Sequence, residues 1–166
     1  CWDWDLGRGA LQTLGYSYLY VEEMAVREGK INGYPIMFDC GTESVSAAEL
    51  EHIANWVSEG GTFVALPFTA RNLYDKPESW PIKRLLGCEI KALRAPGKGT
   101  VTFGADQKVF RALAGKTFPD QGHSMDWLNH ERDQLGVAFA PAPDQEVLAT
   151  FENGDAAIVR RKLGKG

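Results

Sequence analysis

The chain has 166 residues, 44% apolar and 24% charged, with a formal net charge of −4. That composition fits one globular domain over residues 1–166, and the acidic balance, without any Lys/Arg stripe, excludes a nucleic-acid footprint. Apolar runs of only a few residues exclude a bilayer-spanning segment and a signal-peptide core, so no membrane partner is expected.

Three cysteines, Cys1, Cys40 and Cys88, stand far apart, with no C-x-x-C pair and only three histidines in the chain. This pattern predicts neither a disulfide framework nor a metal site, and no cofactor. Structural thiols in a reducing setting are the favoured reading, which leans slightly to the cytoplasm and otherwise leaves the compartment open. The chain opens on Cys1-Trp2-Asp3-Trp4 and stops at Gly164-Lys165-Gly166, a turn that would ordinarily feed another strand. A fragment of a longer protein is expected.

In chain order, Leu6, Ala10, Leu11 and Leu14 recur at helical spacing, with Gly15 placed as a left-handed C-cap. Tyr16–Val21, rich in aromatic and branched residues, predicts a strand. Glu22–Glu28 predicts a short helix, and Tyr34–Asp39 a buried strand. Ser46-Ala47-Ala48-Glu49 is a capping box: the serine hydroxyl accepts from the N3 amide, and the glutamate reaches back to the serine N–H. Leu50, Ile53, Ala54 and Val57 then mark one helix face, Gly60-Gly61 ends it, and Thr62–Leu66 predicts a second buried strand. Strand, capped helix and strand make a βαβ unit, which implies parallel pairing. Farther on, Ile82–Leu86 reads as a helical turn, Cys88–Lys91 and Thr100–Phe103 as extended, and Gln107–Leu113 as a short helix. Residues 115–135 read as a long surface loop. Glu146–Phe151 and Ala156–Arg161 flank Asn153-Gly154, a signal for an antiparallel hairpin.

The order of Tyr34–Asp39, the helix ending in Trp56–Thr62, the strand Phe63–Leu66, the Leu85-Leu86-Gly87 step and the closing hairpin resembles the class I glutamine amidotransferase-like domains attached to glycoside hydrolases. Within that group it is most similar to the β-galactosidase trimerisation domain of family 42-type enzymes. The likeness covers most of residues 6–91 and 146–166. It implies an α/β, flavodoxin-like three-layer domain with a mostly parallel sheet and a C-terminal antiparallel hairpin. It also implies a non-catalytic structural and oligomerisation role beside the other domains of a parent glycoside hydrolase, in a homo-oligomer.

An active amidotransferase needs a nucleophilic cysteine on a sharp strand-to-helix elbow, served by a histidine and a glutamate. The elbow position reads Leu66-Pro67-Phe68-Thr69-Ala70-Arg71, without cysteine, and no His-x-Glu partner follows: His123 precedes Ser124-Met125, and His130 adjoins Glu131. No catalytic residue is therefore assigned. Cys40, at a strand end before Gly41, is the residue a stand-alone hydrolase would use, but a small apolar role there is favoured. Ligands of parallel sheets sit beyond the strand carboxyl ends. Those positions hold Asp39, Thr69, Arg71 and Asn72, joined by Trp2 and Trp4 where a first strand precedes residue 1, in a carbohydrate or small-ligand site. Packing of the two tryptophans on a neighbouring domain is the favoured alternative. Trp80 and Trp127 fall in loops as contact surface, Trp56 in the core or an interface, and His52 opposite the apolar stripe.

Overall fold

The computed structural model describes residues 11–39, 41–94, 99–119 and 136–166. They fall into two compact units, the first comprising residues up to Leu85 together with Leu163–Gly166, the second Leu86–Lys162.

Among the described residues, the first unit is built around one long helix, Ala47–Ser58. After α1 (Glu23–Arg27) come β1 (Ile36–Phe38), β2 (Ser44–Val45), α2 (Ala47–Ser58), β3 (Thr62–Val64), β4 (Asn72–Leu73) and α3 (Ile82–Leu86). The capping box forms as read: Ser46 Oγ accepts from Glu49 N at 3.2 Å, and Glu49 Oε2 accepts from Ser46 N at 2.6 Å. Glu49 is itself only 3% exposed, with Arg27 Nη2 3.8 Å from its carboxylate. The helix buries Ile53, Trp56 and Val57, and the indole Nε1 of Trp56 donates to Tyr34 O at 3.1 Å. Gly61 lies against the face of that indole, where a Cβ would overlap the ring. The βαβ pairing is real, with Ile36, Met37 and Phe38 parallel to Thr62, Phe63 and Val64. A second parallel pair joins Ser44 to Asn72 and Val45 to Leu73.

The second unit is a six-stranded antiparallel sheet in the order β5 (Glu89–Arg94), β8 (Gly136–Ala140), β10 (Ala156–Arg160), β9 (Glu146–Phe151), β6 (Thr100–Phe103), β7 (Thr117–Pro119). The β9–β10 hairpin forms across Asn153-Gly154, where Gly154 takes φ 84° and Asn153 Oδ1 accepts from Asp155 N. Val137, Ala138, Leu148, Ala149, Phe151 and Ala156 supply its buried side chains, and Cys88 is buried as expected.

The expected flavodoxin-like three-layer fold is not what forms. The described residues are mostly β: each parallel sheet has two strands only, and the large sheet is antiparallel. The physical reason lies in pairing. A helix-flanked parallel sheet needs several strands covered on both faces, whereas β1 pairs with β3 alone and leaves Ile36 and Phe38 half-exposed rather than buried. Strands such as Thr100–Phe103 and Glu89–Arg94 mix polar and apolar residues, a pattern suited to antiparallel sheets with one wet face.

Other expectations change in detail. Tyr16–Val21 is not assigned to a strand; β-propensity cannot supply a ladder partner, and Tyr18 and Tyr20 pack edge to face at 5.5 Å. Gln107–Leu113 is a turn closed by the Gln107 amide, which donates to Phe110 O and accepts from Phe110 N, and ends in a 3-10 turn at Arg111–Leu113. Part of the expected 115–135 loop is strand β7. Gly164-Lys165-Gly166 folds back on the end of α2, where Lys165 N donates to Ser58 O at 2.9 Å. Among the described residues no helix is long and apolar enough to cross a membrane.

Candidate functional site

The segment after β3 turns sharply, and its side chains converge. Thr69 Oγ1 accepts from Leu66 N at 3.0 Å and donates to Asp39 Oδ2, so one hydroxyl closes the turn and ties it to the end of β1. The same Asp39 oxygen accepts from Gly41 N and Thr42 N, each at 3.0 Å. An aspartate that takes two amides of the following turn and a hydroxyl from the next strand's loop is a brace between two strand ends.

Two residues on, Arg71 is 6% exposed. Its Nε donates to Glu78 Oε2 at 2.8 Å and its Nη2 pairs with Glu78 Oε1, a bidentate fork. Asn72 Oδ1 accepts from Glu78 N at 2.7 Å, which sets the backbone that presents that carboxylate. The guanidinium lies 5.3 Å from the Phe68 ring centroid and 5.7 Å from that of Trp80, and the two rings are 6.2 Å apart. Trp80 N donates to Arg71 O at 2.7 Å, closing the loop on itself. Nη1 of Arg71 is buried and makes no hydrogen bond.

Of the site residues read from the sequence, Asp39 and Thr69 are in direct contact, and Arg71 and Asn72 meet on Glu78. Trp2, Trp4 and Cys40 lie outside the described residues, as do His123, Trp127 and His130. Phe68, Glu78 and Trp80 were missed as site residues. The only available signal was Pro77 and Pro81, which bracket Glu78-Ser79-Trp80 and stiffen a return of the chain toward Arg71.

A second feature of this unit is a groove of about 940 Å³, whose walls include Tyr16, Leu19, Tyr20, Ile36, Phe38 and Phe63. Leu19 is 71% exposed, Tyr16 64%, Tyr20 60% and Ile36 51%. Among the described residues no group of three or more His, Cys, Asp or Glu side chains is arranged to hold a metal ion.

No protein-family model matches the chain, and no curated protein matches it. Solved structures do. The chain is similar to a β-galactosidase from Bacillus circulans sp. alkalophilus, with a TM-score of 0.57 and 19% identity over 80% of this chain and 19% of that one. It is also similar to the exo-beta-1,4-mannosidase Op5Man5 from Opitutaceae bacterium strain TAV5, with a TM-score of 0.59 and 16% identity over 97% of this chain and 24% of that one. The chain therefore spans a quarter or less of the length of either enzyme, and the likeness is one of fold.

Proposed function

We propose that this chain is a non-catalytic interaction domain of a carbohydrate-active enzyme, seated through its first unit against another domain of the parent or a second copy of the chain. The observation that carries the reading is the apolar groove. Water-facing leucine, isoleucine and three aromatic residues around one concavity form a surface that single-chain proteins rarely leave bare. Covering such a side chain from full exposure is worth about 1.5–3 kcal/mol, and these, between 41% and 71% exposed, have roughly half of that left to gain, so several together supply the driving force for a partner surface. Similarity in fold to portions of two glycosidases supports the kind of parent.

The test is a pair of charges placed in the groove of the full protein, Leu19→Glu with Ile36→Glu. Both positions are more than half exposed, so the fold is expected to survive, which circular dichroism checks. Light scattering should then report a smaller assembly, or limited proteolysis a newly released domain. An unchanged mass together with an unchanged cleavage pattern sinks the proposal.

A further inference from the structure

The two-stranded sheet formed by β1 and β3 has a bare edge, and that edge runs along the groove. Thr62 N donates to Pro35 O at 3.0 Å, and Asp39 N donates to Val64 O at 2.9 Å. With Met37 opposite Phe63, the ladder to β3 uses the backbone groups of alternate residues, Pro35, Met37 and Asp39. The N–H and C=O of Ile36 and Phe38 therefore point the other way. Among the described residues neither finds a hydrogen-bond partner on that side. The groove wall takes three successive residues of β1, Ile36, Met37 and Phe38, whose side chains alternate between the two faces of the sheet. A concavity that touches all three lies along the strand edge and not over one face. Ile36 and Phe38 stand 51% and 41% exposed beside it. Two N–H and two C=O groups next to uncovered apolar side chains are a template for one more strand.

Charge decides what kind of strand. The groove lining includes Glu22, Glu23, Asp39 and Glu49 and, among the described residues, no Lys, Arg or His. Arg27 pairs with Glu23 and lies 3.8 Å from Glu49. Asp39 accepts from two amides and from Thr69, none of which carries a charge. Glu22, at the start of α1, is exposed, caps nothing with its side chain and makes no ion pair among the described residues. Two carboxylates thus line the groove without a counter-charge. We propose that β1 docks an extended segment of another domain of the full protein through the outward backbone groups of Ile36 and Phe38. That segment carries apolar side chains at alternate positions and a Lys or Arg beside Glu22 or Asp39. The proposal rests on the reading of the groove as an interface and names how the partner is held. A second copy of this chain is a poorer match, because its own β1 edge would bring Glu22 and Asp39 against the same charges.

The experiment is hydrogen exchange at single-residue resolution on the full protein, with the variants Phe38→Pro, Phe38→Leu and Glu22→Lys. On a bare edge the Ile36 and Phe38 amides exchange at least about tenfold faster than that of Met37, which is bonded to β3; on an occupied edge the alternation disappears. Its disappearance is the expected result. Phe38→Pro removes an outward N–H and spares the ladder to β3, a change that edge strands tolerate, whereas Phe38→Leu keeps the donor. Ile36 should therefore exchange at least about tenfold faster in Phe38→Pro and less than about threefold faster in Phe38→Leu. Glu22→Lys should speed Ile36 about threefold at low salt and less at high salt, and it tests the proposal even if Phe38→Pro does not fold. Alternation that persists in the wild type overturns the proposal. If Leu19→Glu with Ile36→Glu nevertheless shrinks the assembly, side chains alone fill the groove and the interface reading stands without it; if the assembly is also unchanged, both fall. Protection of Ile36 that Glu22→Lys leaves unchanged or strengthens overturns the proposal too, since the edge is then covered by a second copy or by this chain itself.

Discussion

At the scale of single residues, two sites carry sharp consequences. Gly61 is fixed by what lies next to it: any Cβ would overlap the Trp56 ring, which is 5% exposed and anchored to Tyr34 O. Gly61→Ala is therefore expected to lower stability by about 1–3 kcal/mol, the usual range for overpacking a filled core, measurable as a lower urea midpoint. Glu152 has a different kind of consequence. Hydrogen bonds from the Arg94 side chain first, then from its own backbone N–H and that of Thr100, hold its carboxyl down at about 2. A carboxyl lowered in the folded state contributes stability that is present above its unfolded value and is lost as pH falls through the folded one. The difference in urea midpoint between the wild type and Glu152→Gln should thus hold at neutral pH and shrink from about pH 4.5 to about pH 2. A difference independent of pH over that range contradicts the assignment. Because Glu152 is a surface group, the effect is small and salt weakens it.

At the scale of elements, what the sequence made legible was whatever a few neighbouring residues decide. The capping box of α2 and the Asn153-Gly154 hairpin each depend on side chains within four residues of the backbone they serve, and both formed as read. Ser46→Ala removes the hydroxyl that caps Glu49 N and should cost about 1 kcal/mol, again read from the urea midpoint. The parallel pairing of β1 with β3 was also legible, because α2 links them as a crossover. Sheet architecture was not. Which strand lies beside β8 or β6 depends on partners up to about fifty residues away, and no local pattern encodes that. The candidate site was half legible for the same reason. Asp39, Thr69, Arg71 and Asn72 could be placed at strand ends, but Glu78 and Trp80 reach Arg71 only through left-handed turns that neither glycine nor asparagine announces.

At the scale of the whole molecule, the two units should differ in how firmly their backbones are held. β10 is hydrogen-bonded on both sides, to β8 and β9, within a six-stranded sheet. β1 and β3 have only each other, and β1 borders the exposed groove. Two-stranded sheets are marginal alone, and amide protection follows local packing. Hydrogen exchange on this chain by itself should therefore show the slowest amides in β8–β10 and faster exchange in Ile36–Phe38 and Thr62–Val64. If the groove is an interface, the same amides in the assembled full protein should slow, while those of β8–β10 change little, because covering apolar side chains on β1 suppresses the local opening that exposes its backbone. A Leu19→Glu, Ile36→Glu variant should reverse that slowing without altering β8–β10. Protection of β1 that is identical in the isolated chain and in the assembly would mean that nothing covers the groove, and the interface reading would fall even if the protein forms oligomers through another surface.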